Sequence, residues 1–232
     1  NVAKIVTDYI SEKNVEHVFV IDNNSSDKTV EIAKQCGAKV IAKKINKGWA
    51  DSCIMGFTES LKTDANVIAL TECDGTYNAY DLQKMVPFLN NCDSVVGTRL
   101  IQVLSEKGNQ IGIFHTWGNI FIAKLIQAKY FSLSHMGNVS YTDIGCGHWC
   151  FRRESLEKIL EIIKTDYYDK KIDKDGWMFL PYLHMVPIDN GLKIVEIPIT
   201  FNKRKGQSKS GSNKKIRALE IGLKTIWFTL KS

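Results

Sequence analysis

The sequence of 232 residues lacks close cysteine pairs, long apolar runs and proline-rich segments. Only four prolines occur, which excludes a collagen-like or low-complexity chain. The six cysteines form no C-x-x-C pair, so we expect reduced thiols and a cytoplasmic location, not a disulfide scaffold. No stretch of eighteen residues is free of charged and strongly polar side chains, and no signal peptide is visible. A membrane-spanning helix is therefore not expected from this sequence.

Acidic residues are absent from one segment, 203–217, which carries seven basic residues. The net charge of the whole chain is only +6, which is too mild to indicate a nucleic-acid partner. The basic segment itself fits either a solvated tail or a phosphate-binding loop, and composition does not choose between them.

Apolar segments of strand and helix type alternate along the first hundred residues. The apolar runs at 18–21, 40–42, 67–70 and 94–96 predict buried strands, and helical spacing predicts helices over 2–10, 50–61 and 114–130. Short connections between them are typical of an α/β fold with a parallel sheet. Such sheets bind ligands beyond the carboxyl ends of their strands, where the polar clusters at 22–29 and 72–76 fall.

The two polar clusters suggest two kinds of chemistry. Glu72 and Asp74 follow a strand and can turn to one side, where a hard cation such as Mg²⁺ or Mn²⁺ would find oxygen ligands. The alternative is a solvated acidic turn, which is common. The cluster at 22–29 can hydrogen-bond a base and ribose, or simply cap the following helix.

Six segments, in order along most of the chain, resemble family 2 glycosyltransferases. They are V-I-D-N-N-S-S-D-K-T at 20–29, N-K-G at 46–48, E-C-D-G-T-Y at 72–77, V-G-T-R at 96–99, D-I-G-C-G with F-R-R-E between 143 and 154, and E-I-P-I with R-K-G-Q-S-K between 196 and 209. Each segment alone is a weak signal, but six in register are a strong one. The branch that they resemble most is the dolichyl- or polyprenyl-phosphate sugar synthases.

The resemblance implies a GT-A fold, a Rossmann-like and mostly parallel sheet flanked by helices. It implies transfer, with inversion, of a sugar from a GDP- or UDP-linked donor to a polyprenyl phosphate, with Mg²⁺ or Mn²⁺ as cofactor. For nucleotide binding, the resemblance implies Asp22, Asn23, Asn46, Lys47, Glu72 and Asp74, of which Glu72 and Asp74 would also bind the metal. For phosphate binding it implies Arg204, Ser208 and Lys209. The implied catalytic residues are Asp143 and Arg99.

The acceptor depends on the roles of Arg99 and Asp143. A hydroxyl acceptor needs a base, for which Asp143 is the candidate, whereas an anionic lipid phosphate needs a cation, for which Arg99 is the candidate. Both residues could instead be structural, as an ion pair and a turn. The competing functions are a family 2 enzyme with a glycan or protein hydroxyl acceptor, a nucleotidyltransferase, and a nucleotide-binding relative without activity.

The chain also departs from the family pattern. Glu72 replaces an aspartate, and Asn23 replaces an acid. The opening helix resembles the one that follows the family's first strand, so we expect that this strand is missing from the given sequence. We therefore expect that the full-length protein continues upstream.

We divide the chain into a glycosyltransferase domain, 1–212, and a C-terminal amphipathic helix, 213–232. The helix places Ile216, Leu219, Leu223, Ile226, Trp227 and Leu230 on one face, with basic flanks. It fits a helix at the cytosolic face of an anionic membrane, or one docked on the domain.

Overall fold

The computed structural model describes residues 2–101, 104–107, 112–131, 139–172, 177–205 and 215–231. Strands and helices alternate through the first half, as the apolar pattern predicts. The elements are α1 (Val2–Ile10), β1 (Phe19–Asp22), α2 (Thr29–Gln35), β2 (Lys39–Ala42), α3 (Trp49–Ser60), β3 (Val67–Leu70), α4 (Leu82–Met85), β4 (Ser94–Thr98), α5 (Ile113–Lys129), β5 (Trp149–Arg152), α6 (Arg153–Tyr168), α7 (Phe179–Asp189), β6 (Ile194–Pro198) and α8 (Lys215–Lys231). Two 3₁₀ turns, Ala79–Asp81 and Val86–Asn90, flank α4.

The strands form two sheets. β1 and β2 pair in parallel, and a second sheet has the order β3-β5-β4-β6. Within it, β4 and β6 are parallel, but β5 is antiparallel to both of its neighbours. The α/β fold class is confirmed: of the sheet expected to be mostly parallel, the pairs β1–β2 and β4–β6 are parallel, and β5 is the antiparallel strand.

Sequence analysis missed β5 because its apolar run follows the turn-rich segment 143–148. Trp149, Cys150 and Phe151 are fully buried there. Tertiary packing therefore places β5 at the centre of the larger sheet, between β3 and β4.

Within the described part of the chain, no strand pairs with β1 or with β3 on the side of each that faces the other sheet. Residues 18–21 of the β1 region and 67–70 of β3 line one large cavity. The apolar run of β3 would suit burial on both faces, yet Ala69 is exposed and Val67 and Leu70 are only half-buried. The additional first strand expected from the sequence stays a prediction.

Helices hold the two sheets together across this opening. α3 contacts both β1 and β3. From α1, Val6 packs with Ala33 and Ala38 beside the small sheet, whereas Ile5 and Tyr9 belong to the main core. The polar rim at the strand ends is thus positioned by helix packing as well as by strand pairing.

The C-terminal helix α8 is docked on the domain and keeps an apolar face exposed. It contacts α5 and α7, with Thr225 and Thr229 buried. Ile226 is half-buried against the core, unlike the other apolar residues of the predicted face that the structure describes. Leu219, Leu223, Trp227 and Leu230 are all more than half exposed. Among the described helices, none combines the length and hydropathy needed to span a bilayer.

Candidate functional site

Two loops predicted to bind a nucleotide meet beyond the carboxyl end of β1. Asn23 Nδ2 donates to Asn46 Oδ1 over 2.6 Å, and the backbone N–H of Lys47 donates to Asn23 Oδ1 over 3.1 Å. Asn46 Oδ1 also accepts from the N–H of Gly48, whose positive φ of 91° makes the turn into α3. The side chains of Asn46 and Lys47 are exposed, so the pair of loops forms an accessible polar edge.

Asp22 has a structural contact in this loop. It is 5% exposed, and its carboxylate accepts from the N–H of Ser25 over 3.0 Å. This turn orients Asn23 toward the second loop. Asp22, Asn23, Asn46 and Lys47 therefore lie in two adjoining loops, and their role in nucleotide binding stays a prediction.

The predicted metal carboxylates lie side by side beyond β3. Asp74 Oδ1 accepts from both the N–H and the hydroxyl of Thr76, which holds the turn. Asp74 Oδ2 lies 2.7 Å from Arg204 Nη2, and Glu72 Oε2 lies 3.7 Å from the same nitrogen. Two carboxylates thus converge on one cationic group, so the pair has the donor chemistry that a hard divalent cation needs.

The electrostatics of the pair fit the same interpretation. Burial, and then the neighbouring Asp74 carboxylate, raise the pKa of Glu72 to about 7. Two negative groups held this close repel each other unless a cation lies between them. Glu72 and Asp74 are the residues that would hold a divalent metal ion.

Arg99 and Asp143 form a bidentate ion pair at the end of β4. Arg99 Nε and Nη2 donate to the two Asp143 oxygens over 2.7 and 2.8 Å, and the Arg99 N–H adds a third bond of 3.0 Å. The guanidinium also stacks over Phe201, 5.2 Å from the ring centroid. Burial opposes ionisation of Asp143, but the Arg99 charge and hydrogen bonds hold its pKa below the usual value.

Further polar groups complete this ion pair. Asn119 Nδ2 and the N–H of Gly145 both donate to Asp143 Oδ1 over 3.1 Å. Glu196 accepts from the N–H groups of Thr142 and Asp143 and so fixes the loop from below. A Cβ on Gly145 would lie 2.7 Å from Arg99 Nη2, so no larger residue fits there without displacement.

Sequence reasoning did not assign roles to Asn119 and Glu196. The signal for Asn119 was its amide within an otherwise apolar helix, α5. The signal for Glu196 was its place in the E-I-P-I segment, where the acid precedes a strand end. Neither pattern reveals the partner, because the contacts span 24 and 53 residues of sequence.

Two predicted phosphate ligands, Ser208 and Lys209, lie outside the described residues. Arg204 lies within them and contacts the carboxylates of Asp74 and Glu72. The close spacing of Cys146, His148 and Cys150 suggests a zinc site, but no metal-ligand grouping among the described residues includes them. Among the described residues, the one grouping of three metal-ligand side chains is exposed and elsewhere, at Glu16, His17 and Asp64. His148 and Trp149 are fully buried, and His148 stacks on Tyr77 at 5.2 Å, beneath the site.

One cavity of about 1820 Å³ joins these parts. Its charged lining includes Glu72, Asp74, Arg204 and Arg99, and Asn119 lines it as well. It continues to the apolar side chains of α5 and α8. The cavity therefore offers a charged region for a polar donor next to an apolar region.

Comparison with known proteins agrees with this geometry. Residues 2–160 match the family described as Glycosyl transferase family 2. A polyprenol monophosphomannose synthase of Mycolicibacterium smegmatis is 28% identical over 206 residues, 85% of this chain and 71% of that protein. A dolichyl-phosphate hexose transferase of Haloferax volcanii is 27% identical over 203 residues, 87% of this chain and 76% of that protein.

The solved structures show the same fold. Glucosyl-3-phosphoglycerate synthase of Mycobacterium tuberculosis, determined with Mn²⁺ and UDP-glucose, superposes with a TM-score of 0.58. That comparison covers 99% of this chain and 73% of the other at 13% identity, so it supports the GT-A fold alone. Because the family match spans more than half of the sequence, the chain belongs to glycosyl transferase family 2.

Proposed function

We propose that this glycosyltransferase transfers a sugar from a GDP- or UDP-linked donor to a polyprenyl phosphate. The proposal rests on the hydrogen bonds that the Asp143 carboxylate already accepts: Arg99, Asn119 and Gly145 donate to its two oxygens. A carboxylate this well paired, with a lowered pKa, is a poor base. A phosphate acceptor needs no base, since its oxygen is already anionic.

In the proposed reaction, an acceptor phosphate oxygen attacks the anomeric carbon of the donor sugar. The bond from that carbon to the diphosphate oxygen breaks, and the nucleoside diphosphate leaves with the electron pair, so the configuration inverts. Asp143 orients Arg99, and Arg99 binds the acceptor phosphate. Asn23, Asn46 and Lys47 bind the nucleoside, and Asp22 shapes their loop.

Glu72 and Asp74 hold Mg²⁺ or Mn²⁺, which neutralises charge on the leaving diphosphate when it is bound. A protein of the same fold, glucosyl-3-phosphoglycerate synthase, has been determined with Mn²⁺ and UDP-glucose, although at 13% identity that likeness does not identify the ligand residues here. Arg204 faces the same region and contributes a further charge to the diphosphate. Ser208 and Lys209 remain proposed phosphate ligands from their sequence motif.

The acceptor class is tested with a matched pair, polyprenyl phosphate and the corresponding polyprenol. With a donor selected from UDP- and GDP-sugars by thermal shift with Mn²⁺, we expect transfer to the phosphate and none to the alcohol. Arg99→Ala should reduce transfer about ten- to a hundred-fold, because a charge-assisted contact is lost. Equal transfer to the polyprenol would instead favour the hydroxyl-acceptor alternative.

A membrane surface is the second proposed partner, since the apolar side chains of α5 and α8 are adjacent and exposed. Ile113, Trp117 and Phe121 recur every four residues along α5, and each is more than half exposed. α8 adds Leu219, Leu223, Trp227 and Leu230, and Lys129 Nζ on α5 donates to the Thr229 carbonyl over 3.3 Å. Asn119 of the acceptor site lies on the same α5.

We propose that this two-helix surface rests on the cytosolic face of an anionic membrane, where a polyprenyl chain resides. Liposome flotation tests this with phosphatidylglycerol and phosphatidylcholine vesicles. Trp117→Glu and Trp227→Glu should each reduce flotation, whereas Tyr168→Glu, at a 70% exposed aromatic on α6, should not. Equal flotation of all three variants would contradict the assignment of this surface.

A further inference from the structure

Arg204 lies where it competes with a metal for the acidic pair. Its Nη2 is 2.7 Å from Asp74 Oδ2 and 3.7 Å from Glu72 Oε2. Within the described residues, the ion pairs of both carboxylates are with this one guanidinium. The three side chains are about 20–30% exposed, so the contact is partly shielded from water and stronger than a surface pair.

The backbone places Arg204 there. The N–H of Lys205 donates to the Asp74 carbonyl over 2.9 Å, and the N–H of Asn202 donates to the Thr76 carbonyl over 2.8 Å. The Lys205 side chain also covers Gly75, whose φ is +81°, and a Cβ at Gly75 would lie 3.3 Å from Lys205 Cδ. The basic segment therefore runs directly along the acidic turn, and Arg204 reaches the carboxylates from a fixed position.

A guanidinium and a divalent cation cannot both occupy this position. An oxygen ligand of Mg²⁺ lies about 2.1 Å from the ion, and two cations that share one carboxylate repel each other. A metal ion that took Asp74 Oδ2 as a ligand would therefore displace Arg204 from that oxygen. The displaced guanidinium keeps its charge, so it needs another anion within reach, and the diphosphate of a nucleotide is such an anion.

We infer that Arg204 is a positioning residue that couples metal binding to diphosphate binding. This inference rests on the proposed function of Glu72 and Asp74 as metal ligands. Without nucleotide, Arg204 holds Asp74 and weakens metal binding. With nucleotide, Arg204 exchanges Asp74 for the diphosphate, and the two carboxylates become available to the metal. Because coupling is reciprocal, the metal strengthens nucleotide binding by the same factor.

Mn²⁺ titration of the whole 232-residue chain tests the inference, with UDP and GDP as the nucleotide probes. Free Mn²⁺ is followed by electron paramagnetic resonance, so the readout does not depend on turnover. The variants are Arg204→Ala, Arg204→Lys and, as the matched control, Lys203→Ala. Lys203 is an adjacent cation that pairs with Glu106 at 3.8 Å instead of with the acidic pair.

In the absence of nucleotide, Arg204→Ala should bind Mn²⁺ about ten- to a hundred-fold more tightly than the unchanged chain. When UDP or GDP is added, the Mn²⁺ affinity of Arg204→Ala should rise by a smaller factor than that of the unchanged chain, so the coupling factor is lower in the variant. Arg204→Lys, which keeps the charge, should restore part of the coupling, and Lys203→Ala should match the unchanged chain. Circular dichroism verifies that each variant is folded.

The two ways of failing are distinct. If Mn²⁺ binds and Arg204→Ala leaves its nucleotide-free affinity unchanged or lower, the inference is wrong while the metal site stands. If Mn²⁺ binds no better to the unchanged chain than to Asp74→Ala, with or without nucleotide, the metal assignment itself is wrong, and the inference with it.

Discussion

Two carboxylate sites on one rim of the sheet are built in opposite ways. Asp143 is fully buried, and its two oxygens accept from Arg99, Asn119 and Gly145. Glu72 and Asp74 are partly open, lie next to each other, and share one guanidinium. The carboxylate of the first site is paired within the fold, whereas the second site is a pair of like charges whose repulsion must be offset by a cation.

This difference separates residues that orient from residues that exchange ligands. A buried and fully paired carboxylate is strongly stabilised in one geometry, which suits a residue that aims Arg99. Repulsion between two neighbouring carboxylates is relieved when a cation binds to them, which suits a metal site. Comparable substitutions at the two sites should therefore have different effects on activity, stability and pH dependence.

The largest difference should be in turnover. Asp74→Ala should reduce transfer on the order of 10³-fold, because neutralisation of the leaving diphosphate is worth several kcal/mol. Initial rates with a matched donor and polyprenyl phosphate measure it. The control is Glu161→Ala, an acid on α6 that is 77% exposed and pairs with Lys164. Retention of most activity by Asp74→Ala would contradict the metal role.

The free energy of unfolding should depend more on the Arg99–Asp143 pair than on Asp74, which is the reverse of the order expected for turnover. Arg99→Ala leaves the Asp143 carboxylate buried without its cation, so the free energy of unfolding should fall by about 3–5 kcal/mol. Asp74→Asn keeps an oxygen for Thr76 and removes a like charge beside Glu72, so its effect should stay within about 1 kcal/mol. Urea unfolding of both variants tests the comparison. Similar losses in the two would mean that the acidic pair is structural too.

The pH dependence of stability should have opposite signs at the two sites. The pKa of Glu72 is raised from 4.5 to about 7, so the folded state keeps a proton that the unfolded state releases. Its stabilising contribution is complete below about pH 4.5 and is lost as the pH rises through 7. The pKa of Asp143 is lowered below 3.8, so its contribution is complete above that value and is lost as the pH falls.

Urea unfolding in EDTA between about pH 3 and pH 8 measures both slopes. Glu72→Gln should flatten the decline between about pH 5 and 7 and leave the acid side unchanged. Asp143→Asn should flatten the acid side alone. A chain whose pH profile is the same in both variants would show that neither carboxylate is perturbed as described.

The smallest expected difference is between two neighbouring glycines. A Cβ on Gly145 would lie 2.7 Å from Arg99 Nη2 and 2.9 Å from Asn119 Nδ2, both held by Asp143. A Cβ on Gly147 would lie 3.0 Å from Glu72 Oε1, the end of a flexible side chain. Gly145→Ala should therefore raise the acceptor KM about tenfold, consistent with overpacking of ~1–3 kcal/mol, and leave nucleotide binding unchanged.

Gly147→Ala should have the smaller effect on the acceptor, because Glu72 can shift. Acceptor KM and calorimetric binding of UDP or GDP with Mn²⁺ separate the two variants. An equal rise in acceptor KM for both would argue that Arg99 is no more rigidly held than Glu72.

Much of the donor side follows from local sequence. Apolar runs predict β1 and β3, and β3 occupies Val67–Leu70 as expected. Polar residues directly after a strand must lie at its carboxyl end, so Asn23 and Glu72 were predictable from chain position alone. Resemblance to family 2 glycosyltransferases added Asn46 and Lys47 as nucleotide-binding candidates, but that Asn23 hydrogen-bonds Asn46 is known only from the structure.

The rest depended on contacts between distant segments, which no local pattern encodes. The sequence by itself determined the strand ends, the acidic pair and the basic segment, because each depends on neighbours within a few residues. Tertiary structure alone decided that β5 runs antiparallel between β3 and β4, that Asn119 and Arg99 meet at Asp143, and that Arg204 faces Asp74. The physical reason is that burial and charge pairing act through space, so a side chain's partner is set by packing and not by its place in the chain.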